Sequence, residues 1–150
     1  MGFKERSLAR LCAVKALYAH DRTHQSLQDV IDDFQAHRYY LEAYLPQEEI
    51  GPVDGSFFQT LVNGAVLHHE QITLLLQGVL TQNWSYERLD QLIRHVFEAA
   101  TYEILYEPET DIPVIINEYL EVTYAFFNKK ESGFVNGVLH DIATKVRDPE

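Results

Sequence analysis

Ser132-Gly133-Phe134-Val135-Asn136-Gly137-Val138-Leu139 carries two opposed signals. Asn-Gly is a strong turn pair. Around it, Phe134, Val138 and Ile142 recur every four residues, which marks one helical face. The same tripeptide occurs as Val62-Asn63-Gly64, again inside a helical pattern. The periodicity on both sides overrules the pair, so both sites read as helix. Glycine costs about 1 kcal/mol against alanine in a helix interior. Close approach of another helix over each missing side chain is the expected compensation. Asn63 and Asn136 are expected to bond across to a neighbouring backbone.

Outward from these sites the whole chain reads as helix, with no convincing period-two alternation bounded by turns. The pattern predicts a first helix from about Glu5 to His20, rich in alanine. Ser26 caps a second, expected to last until about Tyr40 or Tyr44. Pro46, Gly51, Pro52 and Gly55 mark the longest irregular stretch. One long helix is expected from about Ser56 to Gln82, and Asn83-Trp84-Ser85 breaks it. Ser85 is the expected cap of the next helix, which runs to Pro108. Asp111 caps a further helix entered through Pro113, and Ser132 is the expected cap of the last. The fold class is therefore all-α: about six helices in two packed three-helix halves, split at about residue 82, within a single domain.

The 150 residues suffice for a real core, and 46% hydrophobic with 23% charged residues is ordinary globular composition. A single cysteine, Cys12, excludes an internal disulfide and suggests a reducing compartment. No apolar run approaches the roughly 20 residues that span a bilayer. The start, MGFKERS, lacks the apolar core of a signal peptide. A cytoplasmic, non-membrane protein is expected.

The net charge of −11 argues against a chain that grips nucleic acid alone. The charge is uneven. Residues 1–22 hold five basic and two acidic residues, a net +3, while the remainder holds seven basic and 21 acidic, a net −14. A basic N-terminal helix thus sits on an acidic body.

Chemical sites are hard to build. His68-His69-Glu70 fails the zinc pattern His-Glu-x-x-His, because residue 73 is Thr. No Glu-x-x-His pair occurs, and no Gly-rich phosphate loop or Gly-x-Ser-x-Gly elbow. Cys12 on its Ala-rich helix reads as core. No metal, no cofactor and no catalytic residue is expected, so a binding role is favoured over an enzyme. Tyr18 ends the basic helix and reads equally as an interface ring or a half-buried core edge. Phe134 follows Lys129-Lys130-Glu131; it either stacks a base beside a held phosphate or plugs the core.

Five blocks carry a resemblance: LARLCAVKALYAHD (8–21), FFQTLVNGAVLHH (57–69), WSYERLDQLIRHVFEAATYEIL (84–105), DIPVIINEYLEV (111–122) and FVNGVLHDIATKVR (134–147). Together and in this order they resemble the NusB family of transcription antitermination factors. The resemblance implies a pair of small helical bundles without enzymatic activity. It implies pairing with NusE, a small-subunit ribosomal protein, and binding of boxA RNA by the pair. It further implies membership of the antitermination complex on RNA polymerase, notably in ribosomal RNA operons. The residues it assigns to RNA are Lys4, Arg6 and Arg10 in the basic segment, and Lys129, Lys130 and Phe134 at the loop before the last helix. Tyr18 stands at the tyrosine that faces NusE. Two departures are visible: Glu5 sits inside a thinned basic run, and the stretch before Phe134 is one residue shorter than usual. With the acidic body they lead to the expectation of weak RNA binding alone and stronger binding beside a basic partner. The alternative is a helical interaction scaffold, possibly a homodimer, with weak or lost RNA binding.

Overall fold

The structure is a computed structural model, and it describes residues 2–43, 45–80, 85–127 and 129–147; the side chains of residues 2, 3 and 129 are not described. Among the described residues there are helices and turns and no strand. The α-helices are α1 (Gly2–Arg22), α2 (Leu27–Ala36), α3 (Gly55–Leu67), α4 (His69–Val79), α5 (Gln91–Tyr106), α6 (Ile112–Phe126) and α7 (Lys129–Val146).

Helix starts follow local chemistry. Ser26 Oγ accepts the Asp29 amide at 3.1 Å, Asp54 Oδ1 accepts Phe57 N at 3.0 Å, and Asp90 Oδ1 accepts Leu92 N at 2.8 Å. Each satisfies an amide that has no partner inside its helix. Asp111 stands at the N-cap of α6 but its side chain makes no capping bond. Pro113 sits in the first turn, where its missing N–H is harmless.

The helix α5 is the axis of the molecule. Every residue from His95 to Ile104 on it is buried. A helix buried all round must be surrounded, and α1, α3, α4, α6 and α7 all pack on α5. Helix α1 lies between α3 and α5, where Ala9, Ala13 and Ala16 are fully buried. The buried apolar residues of both halves of the chain join in one cluster, from Leu8 to Ile142.

Four boundaries differ from the sequence reading. The expected long helix is two helices, because His68 leaves helical geometry at φ −103° and ψ 22°. His68 N still bonds Gly64 O and Ile72 N still bonds His68 O, both at 3.0 Å, so the apolar period runs nearly unbroken across the bend. Helix α2 stops at Ala36, since Arg38, Tyr39 and Tyr40 take positive φ of 55°, 61° and 56°. Tyr39 turns edge-on to Phe58 at 5.1 Å, and Tyr40 Oη donates to Asp33 at 2.9 Å, which holds this strained turn. Ser85 precedes only a short 3-10 turn, and Asp90 caps α5 instead. Ser132 does not begin the last helix: α7 starts at Lys129 and Ser132 is buried inside it. The expected break at Asn83-Trp84 lies outside the described residues.

The two Val-Asn-Gly sites have different explanations. A Cβ on Gly64 would stand 2.2 Å from Tyr102 Cε1, so α5 approaches α3 over a bare backbone. A Cβ on Gly137 would meet nothing within 4 Å, and the expected close approach is absent there. Asn63 is exposed and Asn136 half-buried, and neither bonds to a neighbouring backbone among the described residues.

Candidate RNA and partner interface

Helix α1 sorts its cations by angle. Arg6 and Arg10 are four residues apart and share a face, which turns toward α3 and the core. Arg10 is 3% exposed. Its Nε donates to Glu103 Oε1 at 2.7 Å, Nη2 to Glu103 Oε2 at 3.0 Å, and Nη1 to Glu118 Oε1 at 3.2 Å. Burial works against its charge, but Glu103 and Glu118 outweigh it and raise the guanidinium further above its ordinary value. Arg10 therefore ties α1 to α5 and α6 and is withdrawn from the expected RNA contacts. A phosphate would have to displace a buried carboxylate to reach it. Arg6 is exposed but engaged: its Nε lies 3.7 Å from Asp54 Oδ2 and its guanidinium sits 4.0 Å over the Phe57 ring. Lys4 is exposed.

The segment before Phe134 is helical, not a loop. Lys130 and Phe134 sit four apart in the first turns of α7 and so share one face. Lys130 is exposed; Phe134 is half-buried, with its ring edge-on to Phe97 at 5.8 Å. Phe134 thus packs on Phe97 and stays partly exposed. The side chain of Lys129 lies outside the described residues.

Tyr18 is half-buried as well. Its ring stands edge-on to His95 at 6.2 Å, with Arg22 at 5.3 Å and Lys15 Nζ at 5.8 Å from its centroid. His95 lines a cleft of about 380 Å³ with Leu17, His20, Asp21, His69, Tyr86 and Glu98, among others. Sequence reasoning missed this cluster. Glu98 is 4% exposed and accepts from His95 Nδ1 at 2.8 Å and from Tyr86 Oη at 2.6 Å, with His69 Nδ1 at 3.4 Å. Burial raises its carboxyl, but His69, His95 and Tyr86 outweigh that and hold it down at about 2. The Glu98 charge in turn raises the His69 imidazole. Only the His95–Glu98 spacing of three was visible in the sequence; His69 and Tyr86 arrive from other elements. No group of three His, Cys, Asp or Glu able to hold a metal occurs among the described residues. No described helix is long and apolar enough to cross a membrane.

Comparison with known proteins settles the family. The NusB family profile matches residues 7–144. The chain belongs to the NusB family. It is a transcription antitermination protein and not an enzyme. The transcription antitermination protein NusB of Caulobacter vibrioides is 37% identical over 143 residues, covering 95% of each chain. That of Novosphingobium aromaticivorans is 35% identical over 144 residues, covering 96% of each. Among solved structures, T. maritima NusB superposes with a TM-score of 0.73 at 28% identity, over 93% of this chain and 91% of that one. A structure described as antitermination factors NusB and NusE in complex with dsRNA matches with a TM-score of 0.74 at 20% identity, over 97% and 99% of the chains. That last likeness concerns the fold.

Proposed function

We propose that this NusB-family chain pairs with NusE, binds boxA RNA as that pair, and acts in the cytoplasm within the antitermination complex on RNA polymerase. The observation that carries the RNA reading is the face of α7 on which exposed Lys130 and half-buried Phe134 stand four residues apart. A cation beside an accessible aromatic edge suits a strand whose bases stack and whose phosphates need neutralising. Lys4 and, in part, Arg6 extend the basic surface on α1, while Arg10 serves the core. Tyr18, half-buried and bracketed by Lys15 and Arg22, is the ring offered to NusE.

The test is boxA binding by the chain–NusE pair with Lys130→Gln and Phe134→Leu. Each variant is expected to weaken RNA binding while NusE affinity and thermal stability hold for Lys130→Gln. Wild-type RNA affinity in both variants would overturn the assignment.

A further inference from the structure

The structure redraws the basic surface of α1. At 100° per residue, Lys4, Lys15 and Arg22 return to within about 20° of one another, at separations of about 16 and 10 Å along the axis. Lys15 holds the middle. Its Nζ lies 5.8 Å from the Tyr18 ring centroid and 5.5 Å from that of Phe126, so it stands between rings of two helices. Phe126 is the last residue of α6, and Lys130 follows four residues later, no more than about 14 Å away along the chain. Lys15 therefore joins the α1 cations to the end of α6, from which the chain runs on to Lys130. Acids bound the path: Glu49 and Glu121 line the groove beside Lys4 and Leu11, and Asp21 is turned to His95, 3.4 Å from its Nε2.

We infer that Lys15, set between Tyr18 and Phe126, is a phosphate contact for single-stranded RNA and carries the strand from the Lys130–Phe134 face onto α1. This rests on the RNA-binding reading above. Single-strand binding surfaces set cations beside aromatic rings, with rings for bases and cations for backbone; Phe126 is the ring beside Lys15 for RNA, since Tyr18 is given to NusE. A lysine held over two rings is also partly ordered before RNA arrives, which lowers the entropy lost on binding.

The experiment is a salt titration of boxA RNA binding to the chain–NusE complex, with Lys15→Gln, Lys15→Arg and Lys130→Gln. Lys15→Gln is expected to lower affinity at least threefold. The slope of log affinity on log salt should become shallower by about 0.7, the single-strand value per phosphate, and Lys15→Arg should keep the wild-type slope. In the wild-type complex, RNA should shield Lys15 from acetylation, which needs no variant. An unchanged slope in Lys15→Gln, or equal acetylation with and without RNA, overturns the inference. If Lys130→Gln still weakens binding, the RNA-binding reading stands without Lys15; if the wild-type complex binds no boxA RNA, both fall.

Discussion

Arg10→Ala is the sharpest perturbation of this fold. The arginine is 3% exposed and makes three charge-assisted hydrogen bonds, two to Glu103 and one to Glu118. Glu103 is wholly buried and Glu118 is 6% exposed. Alanine leaves both buried carboxylates without their cation. Breaking a buried pair from one side costs about 3–5 kcal/mol. For a domain of this size each kcal/mol lowers Tm by roughly 2–4 °C, so a fall on the order of 10 °C is expected in a thermal melt. Arg10→Met with Glu103→Gln and Glu118→Gln removes all three charges at similar volume, so it should recover a large part of the loss. Arg10→Lys keeps a charge but loses the paired bonds to Glu103, and should cost less than Arg10→Ala. If Arg10→Lys folds, its pair with NusE should bind boxA RNA as the wild type does. A loss below about 1 kcal/mol in Arg10→Ala, the range of an exposed pair, would refute the structural role. So would reduced RNA affinity in a fully stable Arg10→Lys.

Other outcomes follow from the same packing. Gly64→Ala should destabilise by about 1–3 kcal/mol in urea unfolding, because its Cβ meets the Tyr102 ring at 2.2–2.8 Å. Gly137→Ala, with open space around it, should gain up to about 1 kcal/mol; the reverse order would contradict this account of the two tripeptides. Glu98 is held at about 2 in the fold against an ordinary 4.5. Its contribution is thus present above about 4.5 and lost as pH falls toward 2, on the order of 3 kcal/mol at most. Glu98→Gln should flatten that acid limb of the stability curve, and an unchanged limb would remove Glu98 from it. His69 is raised, so its contribution is present in mildly acidic solution and fades as pH rises through the raised value. His69→Asn should lose that alkaline decline, and retention of it would point to another group.

Much of the fold was legible. Caps at Ser26 and apolar periods on α5 and α6 depend on neighbours within a few residues, and sequence holds those directly. The bend at His68 was not, because one residue off helical geometry leaves the three-four spacing intact. The left-handed turn at Arg38–Tyr40 contains no glycine to announce it, and is held by Phe58 and Asp33 instead. Val-Asn-Gly shows the limit most plainly: one tripeptide faces Tyr102 and the other faces open space. For the site, the spacing correctly put Arg6 and Arg10 on one face. Which way that face turns depends on Glu103 and Glu118, 93 and 108 residues away. The cluster on Glu98 was hidden for the same reason. The nearness of Lys130 to Phe134 was readable because only four residues separate them, although that segment reads as a loop and is helix.

The central claim is that RNA recognition belongs to the chain together with NusE. Its most direct measurement is the binding of labelled boxA RNA to the chain alone and to the pair, across a salt series. The pair should bind with a steep salt dependence, while the isolated chain, at net charge −11, should bind little in moderate salt. Tight binding by the isolated chain, or no binding by the pair, would contradict it.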